Sequence, residues 1–472
     1  MQKIVIKNFG AIEYAEIEIK KVLVLIGEQA SGKSTIAKLI YFFKSLKENL
    51  KSESFLFAQE KIPKYTDIDT YFREFIKIKF YDFFGSTLNF LNFEVRFYYS
   101  FQKNRYIELN LDLNKNLCLI FSENFLDEQF KNGFADYINL SKKNIDNSEK
   151  PYIKIDNLTQ YSLSYQYLSK LLNNLFENEQ EDLLFIIAGR NATVTYSDLF
   201  EKYLFASIEI DLKENSKKYF ANKLQMIDEF LMLQFIEKVE LIKQVFRKFS
   251  GFDGLINYQA NKKGIEYLRV IKNKIDLILK GEYLIGNSEE KIIFNKNERY
   301  SIDLRNASSG QQECIRILQD IFLNIIYDSI ILRIIEEPEA HLFPVAQKHL
   351  IELLAIMVNR NEDNQLIITT HSPYILSVFN NLLFAKRVVE KNPSAQSEVS
   401  EIIPEDYWLN AAEFSAYSLG NQSLDEEANY CESIFDSNTG LIAQNYLDTV
   451  SEMMGGEFNA LYNIHARTFK RK

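Results

Sequence analysis

Val22-Leu-Val-Leu-Ile26-Gly27-Glu-Gln-Ala-Ser-Gly32-Lys33-Ser34-Thr35 decides the fold. The run up to Ile26 is continuously apolar, as in a strand buried on both faces. Gly27 to Ser34 then fits G-x-x-x-x-G-K-[ST], and behind it Ile36, Leu39, Ile40, Phe43 and Leu46 recur at helical spacing. Strand, glycine loop and helix in that order turn a pattern into a site. Glycines let the backbone curl so that successive N–H groups converge on an anion at the positive end of the helix. Lys33 is then placed to reach β- and γ-phosphates, and the Ser34 hydroxyl to ligate Mg²⁺.

Working outward, Lys3–Lys7 and Ala11–Lys20 alternate apolar and polar positions, as half-exposed strands do. Ile330-Ile-Leu-Arg-Ile-Ile-Glu336-Glu337-Pro338 reads as another buried strand, ending in two carboxylates. It is expected beside the P-loop strand, with Glu336 near Mg²⁺ and Glu337 polarising the attacking water. Leu366-Ile-Ile-Thr-Thr-His371 ends a further strand in a histidine that can hydrogen-bond a γ-phosphate, although a lone histidine is ordinarily structural. Ser308 precedes a helix with Ile315, Leu318, Phe322 and Ile325 on one face; Val345–Met357 reads as a helix and Leu383–Val388 as a strand. This alternation predicts an α/β fold, a mixed or parallel sheet wrapped by helices.

The middle of the chain has a different texture. Residues 51–170 are rich in aromatics and Asn, with strands expected at Leu91–Phe101, Arg105–Leu111 and Leu117–Phe121 and a polar loop at Ser141–Pro151, a β-rich elaboration. Its aromatic stretch, Phe55–Phe134, is the expected home of partner specificity. Leu183–Ala188 reads as a buried strand, Leu224–Phe246 as a long helix, and Phe252–Leu304 as a small sheet. Residues 401–472 are expected as a helical extension, with Leu447, Val450, Met454, Phe458 and Leu461 on one side of a helix over Ala443–Lys472. The basic end from Arg467 reads as a solvated tail, with contact to DNA phosphates as the alternative.

Composition narrows the function. The 472 residues are 46% hydrophobic and 25% charged, which excludes wholesale disorder. A net charge of −10 argues against a broad nucleic-acid field. Only four histidines leave no room for a multi-histidine metal centre or an H-N-H nuclease. Cys118, Cys314 and Cys431 are scattered, which suits a reduced compartment. No apolar run reaches the length of a membrane span, so the chain is expected to be cytoplasmic with no membrane partner.

Taken together, these residues resemble a known family. Ala307-Ser308-Ser309-Gly310-Gln311 is similar to the ABC signature, and with the P-loop, Glu336-Glu337-Pro338 and His371 it gives the ABC-type ATPase set in order. Lys7-Asn8-Phe9-Gly10, Ile335-Glu-Glu-Pro-Glu-Ala-His-Leu342 and Thr370-His-Ser-Pro373 are similar to the RecF, SMC and OLD-like branch (AAA_15/AAA_21), which includes ATPase subunits of anti-phage systems such as Septu and PARIS. The resemblance is strong over 1–48 and 300–390. It implies an ATPase head over 1–200 and 300–400, split by a helical insertion and small sheet over 200–300. ATP would lie between two subunits, with Gly27, Gly32, Lys33, Ser34, Thr35 and Asn8 of one facing Ser308, Gly310 and Gln311 of the other. Lys33, Glu337 and His371 would be catalytic, and Ser34 and Glu336 would hold Mg²⁺. Arg190, in Ile186-Ile-Ala-Gly-Arg190, would be the Q-loop equivalent; Ile187 stands where such segments have proline.

The resemblance implies a homodimer or higher homo-oligomer. Glu336 and Ser309 depart from the aspartate and glycine of transporter ATPases, which is familiar in this branch and compatible with slow hydrolysis. No sustained heptad suggests an SMC coiled coil. No D-x-D follows His371, and Asp67-Ile-Asp69 lies far upstream, so the nuclease of OLD-type enzymes is not expected in this chain. Two outputs follow: a sensor or scaffold that controls a separately encoded nuclease or toxin, or a RecF-like repair ATPase that clamps duplex DNA. An ATP-locked assembly factor that scarcely turns over is a third.

Overall fold

The computed structural model describes residues 1–58, 67–148, 154–195, 227–259, 264–286, 289–295, 300–420, 429–443, 456 and 458–463. β1 (Gln2–Phe9) and β2 (Ile12–Ile19) form an antiparallel hairpin, and β3 (Val22–Gly27) runs through the P-loop into α1 (Lys33–Ala58). After α2 (Ile68–Phe84), strands β4 (Glu94–Ser100), β5 (Arg105–Leu111) and β6 (Leu117–Phe121) extend the first hairpin into a sheet of order β2-β1-β4-β5-β6. Helices α3 (Glu128–Ser148) and α4 (Lys154–Phe176) lead to β7 (Asp182–Ile186) and the short α5 (Ala192–Thr195). Next come α6 (Ile227–Lys248), α7 (Phe252–Tyr258), α8 (Ile265–Leu279) and the small antiparallel sheet β8 (Glu282–Ile285), β9 (Glu290–Asn295), β10 (Tyr300–Asp303). The rest alternates as α9 (Ser309–Tyr327), β11 (Ile331–Glu336), α10 (Pro344–Asn359), β12 (Gln365–Thr370), α11 (Pro373–Lys391), β13 (Phe414–Leu419) and β14 (Cys431–Ser433).

The central sheet has the order β14-β13-β3-β12-β11-β7 and is parallel except at β14. Every residue of β3, β11, β12 and β13 is buried, so both faces are covered. Successive side chains enter different cores. Val22, Val24 and Ile26 pack with α6 to α11, whereas Leu23 and Leu25 pack with α1, α2 and the aromatic β-lobe.

Several expectations are corrected. β11 is not beside β3, because β12 lies between them. Leu383–Val388 belongs to α11, where Phe379, Leu382 and Leu383 share a buried face; an apolar run that short carries no period of its own. The helix α3 continues through Ser141 to Ser148, and the last residues of the expected Ser141–Pro151 loop lie outside the described residues. Residues 51–170 hold the expected strands but also α2, α3 and most of α4. Their aromatics are core: Phe72, Phe80, Phe93, Phe97, Tyr99, Phe125 and Phe134 are all buried, with Phe43 stacked on Phe97 at 4.9 Å. Asp67 caps α2 by accepting from the Thr70 N–H, and Asp69 pairs with Arg73. Helices α7 and α8 precede the small sheet within Phe252–Leu304. Among the described residues of 401–472, β13 and β14 belong to the central sheet rather than to a helical extension, with β13 beside β3. Of the expected terminal helix, Leu447, Val450 and Met454 lie outside the described residues, and Phe458 and Leu461 are exposed.

Charge is buried where α9 meets the sheet. Arg333 of β11 is fully buried and grips Asp320 of α9 through Nε and Nη2, at 2.7 and 3.0 Å, and Asp182 of β7 at 2.8 Å. Burial alone would raise the Asp182 carboxyl, but Arg333 and Lys238 hold it at about 2. Cutting Arg333→Ala strips the buried Asp320 carboxylate of its guanidinium, leaves Asp182 to Lys238 alone, and is expected to cost about 3–5 kcal/mol of unfolding free energy. Urea titration of the variant checks this, and a loss below about 1 kcal/mol would show that the pairs are not coupled.

Candidate functional site

The parallel ladder brings three strand ends level. Thr370 of β12 pairs with Ile26 of β3, and Glu336 of β11 pairs with Thr369. The P-loop, His371 and the two carboxylates therefore leave the sheet at one edge, the side on which a parallel sheet opens to ligands. β12 holds the acidic strand one place further from the P-loop than expected, and the side chains bridge above its threonines.

The P-loop turns at Gly27 (φ 156°), Ala30 (φ 61°) and Gly32 (φ 80°). A Cβ on Gly27 would lie 2.3 Å from the Leu419 carbonyl oxygen, so only glycine fits there. Lys33 is 5% exposed; its ammonium donates to the carbonyls of Gly27 (2.9 Å) and Glu28 (2.6 Å) and to Ser31 Oγ (3.3 Å). Burial pulls its pKa down to about 8, against the field of Glu337, Glu339, Glu28 and Glu336. Ser34 and Thr35 begin α1, with Ser34 exposed. Asn8 (φ 54°), left out of the pairing near the end of β1, precedes the hairpin turn at Gly10 (φ 62°), and the Gly10 Cβ position lies 3.8 Å from Thr35 Cγ2. This turn therefore flanks the P-loop helix.

Glu337 sits in the left-handed region (φ 42°), a conformation that costs a residue with a side chain about 1–3 kcal/mol. Its N–H donates to the Thr369 carbonyl at 2.8 Å, and Oε1 lies 3.1 Å from His371 Nε2. The hydrogen bond from His371 holds the Glu337 carboxyl below its ordinary range against the effect of burial, with the Lys33 and Arg190 charges helping. An ionised carboxylate only accepts, so the His371 proton resides on Nε2. Glu337 is about 41% exposed and thus open to a water.

Glu336 is buried. Its Oε2 accepts from the Ala188 N–H at 3.1 Å, and its Oε1 is buried without a partner among the described residues. Such an oxygen suits a divalent cation. Among the described residues no group of three or more His, Cys, Asp and Glu could hold a metal. A P-loop Mg²⁺ needs none, since it is held by one or two protein oxygens together with phosphates and waters, and Ser34 and Glu336 fit that pattern.

Arg190 is not placed to touch a nucleotide. It is 0% exposed, and its guanidinium donates to the carbonyls of Glu313 (3.0 Å), Ile187 (3.1 Å), Glu336 (2.9 Å) and Glu337 (3.0 Å) beside the Glu313 carboxylate. It braces the acidic strand end against α9 from below. Ser308 is exposed and caps α9 in a reciprocal box with Gln311, whose Nε2 also donates to the Leu279 carbonyl at 2.7 Å. A Cβ on Gly310 would lie 2.6 Å from the His341 carbonyl oxygen, so the start of α9 is packed on the Glu337–Leu342 segment. Ser308 and Ser309 face solvent there.

Two residues escaped the sequence reading. Glu339 Oε1 accepts from Thr370 Oγ1 (2.6 Å) and the His371 N–H (2.8 Å), tying the acidic turn to the histidine; its place in Glu-Glu-Pro-Glu was a visible signal. Tyr430 donates to the Ser31 carbonyl across almost the whole chain, and nothing in its neighbourhood marks it.

Comparison with known proteins gives a family. The model described as AAA ATPase domain, AAA_15, matches residues 1–376. Among solved structures, the chain is similar to the SMC head domain from Thermotoga maritima (11% identity, 80% of this chain and 90% of that chain, TM-score 0.33). It is also similar to the Smc head domain from Pyrococcus furiosus bound to the C-terminal domain of ScpA (12%, 80% and 92%, 0.31) and to the recombination mediator RecF (14%, 78% and 92%, 0.28). No curated protein matches.

The depressed Lys33 ammonium gives the site a pH signature. Phosphate oxygens favour its charged form, so binding ATP should draw in a proton when the free group titrates near 8. Affinity is expected to hold below pH 8 and to fall as pH rises above it. Calorimetry at pH 8.5 in buffers of different ionisation enthalpy measures the uptake directly, and heats that do not depend on the buffer would refute it.

Proposed function

The chain belongs to the AAA ATPase domain family and is an ATPase, and from that premise we propose that it is an ATP-dependent sensor or scaffold, a homodimer or larger homo-oligomer controlling a separately encoded nuclease or toxin of an anti-phage system. The observation that carries the ATP-driven part is the convergence of Lys33, Glu336, Glu337 and His371 on one sheet edge. Lys33 binds and orients phosphates, Ser34 and Glu336 would hold Mg²⁺, and His371 orients the Glu337 carboxylate toward a water. Mg²⁺ bound there supplies charge neutralisation at the phosphates. The Glu337 carboxylate takes the water's proton as the water oxygen bonds to the γ-phosphorus and the bond from that phosphorus to the β,γ-bridging oxygen breaks, releasing ADP and phosphate.

Dimer closure is supported by the surface beside the site. Exposed Ser308 and Ser309 stand at the positive end of α9, and Phe343, Val345 and Tyr374 are 73%, 52% and 55% exposed on the adjoining rim. A second copy would cover these groups and bring Ser308 to the partner's γ-phosphate. The regulatory output rests on the OLD-like motifs around Glu337 and His371, and the charge of −10 favours it over a RecF-like clamp on duplex DNA.

Glu337→Gln is expected to keep ATP binding and to lower turnover by about 10²–10⁴-fold, leaving the dimer closed. Wild-type turnover in this variant would remove Glu337 as the base. Mass spectrometry of what copurifies with it from native cells, with and without nuclease treatment, tests the output. A stoichiometric small nuclease or toxin that survives treatment is the expected result; recovery of DNA and repair proteins alone would favour the clamp. Ser308→Arg should block ATP-induced dimerisation while each chain still binds ATP, and an unchanged oligomer and rate by size exclusion and phosphate release would sink the shared site.

A further inference from the structure

The P-loop is held from outside by a part of the chain beyond residues 1–376. β13 pairs with β3 up to Leu419 opposite Gly27, and β14 pairs back on β13 with Cys431 opposite Leu419. Tyr430 lies at the start of this return strand, where its carbonyl accepts from the Gly420 N–H at 2.9 Å. From there its hydroxyl donates to the Ser31 carbonyl at 2.9 Å. The approach is close on every side. A Cβ on Gly420 would lie 2.9 Å from Ser31 Cβ, and one on Gly32 would lie 3.3 Å from the Tyr430 hydroxyl and 2.7 Å from Ile12 Cγ1. Burial pushes the Tyr430 phenol up to about 12, with Cys431 and Glu13 adding to it, so it remains a donor throughout the physiological range.

Peptide planarity gives this bond a direction. Across a trans peptide the carbonyl and the next N–H point opposite ways. Anchoring the Ser31 carbonyl on Tyr430 therefore turns the Gly32 N–H away from Tyr430, and Gly32 (φ 80°) has no side chain to fix that plane itself. Ser31 Oγ meanwhile receives the Lys33 ammonium at 3.3 Å. The Ser31–Gly32 peptide is thus clamped between a C-terminal phenol and the lysine that meets the phosphates.

We propose that Tyr430 is a positioning residue for nucleotide binding, which sets the Gly32 amide toward the phosphates and makes the β13–β14 hairpin part of the grip on ATP. It rests on the nucleotide reading of the P-loop and not on any effector. Tyr430→Phe removes the hydroxyl alone. Equilibrium binding of a slowly hydrolysed ATP thiophosphate analogue should weaken by about fivefold, the worth of one hydrogen bond. KM for ATP should rise in step while kcat at saturation stays within about twofold, and the melting temperature without nucleotide should fall no further than in the control variant below. Tyr417→Phe is the control, because the Tyr417 hydroxyl accepts from the Glu18 N–H at 2.9 Å in the same sheet and should leave affinity unchanged. Equal affinity in Tyr430→Phe and the wild type would overturn the proposal and leave the ATPase standing. A lowered melting temperature with the same affinity loss in both variants would reduce Tyr430 to a structural role, and a wild-type chain that bound no analogue would overturn both readings.

Discussion

The parallel register of β3, β12 and β11 is the constraint on which everything else depends. Each of these strands is buried along its whole length, and its alternate residues enter two different cores. A slip of one residue would exchange the Val22, Val24, Ile26 set with Leu23 and Leu25 and drive side chains shaped for one core into the other. Because that slip is forbidden, the strand ends stay level. Lysine, histidine and carboxylates from three distant parts of the sequence can then meet without any of them being held by a local loop.

Rigidity at this edge is reinforced from beneath by buried charge. Helix α9 is covered nearly all round and carries Gln311, Gln312, Glu313, Arg316, Gln319, Asp320 and Asn324 in its buried surface. Arg316 meets Glu290 at 2.6 and 2.7 Å, Asp320 meets Arg333, and Glu313 meets Arg190. A helix that hides so many polar groups is held to one rotation by these three ion pairs. Through Arg190 that rotation also reaches the carbonyls of Glu336 and Glu337. The helix that presents Ser308 and the strand that presents the carboxylates are thereby parts of one rigid body.

What could be read from the sequence was what short spacing encodes. Gly27–Ser34, the run that ends at Glu336-Glu337 and the threonines before His371 each carry their geometry within a few residues. β13 could not be read because Phe414-Ser-Ala-Tyr-Ser-Leu419 lacks an apolar run; its Ser415 is buried with its hydroxyl donating to the Glu18 carbonyl at 2.9 Å. Arg190 was found but misassigned, since a guanidinium satisfied by carbonyls from three elements looks in sequence like any other arginine after a strand. The aromatics of the β-lobe were conspicuous in composition, yet only packing tells that they face one another. Leu383–Val388 failed because an apolar run of that length fits a strand and a helix equally.

The place of β13 beside β3 also sets a timetable. The P-loop strand is made at the start of translation, and its neighbours β12 and β13 lie some 340 to 400 positions later, as the 399-residue separation between Glu18 and Tyr417 illustrates. At about 5–20 residues per second, the ribosome needs roughly 20 to 80 seconds to deliver them. For that interval β3 has both hydrogen-bonding edges open and its apolar faces only partly covered, the state in which nascent strands join the wrong neighbour. The order of synthesis thus leaves β3 open to mispairing until β12 and β13 emerge, and a ribosome that stalls before β13 leaves a P-loop with one wall missing.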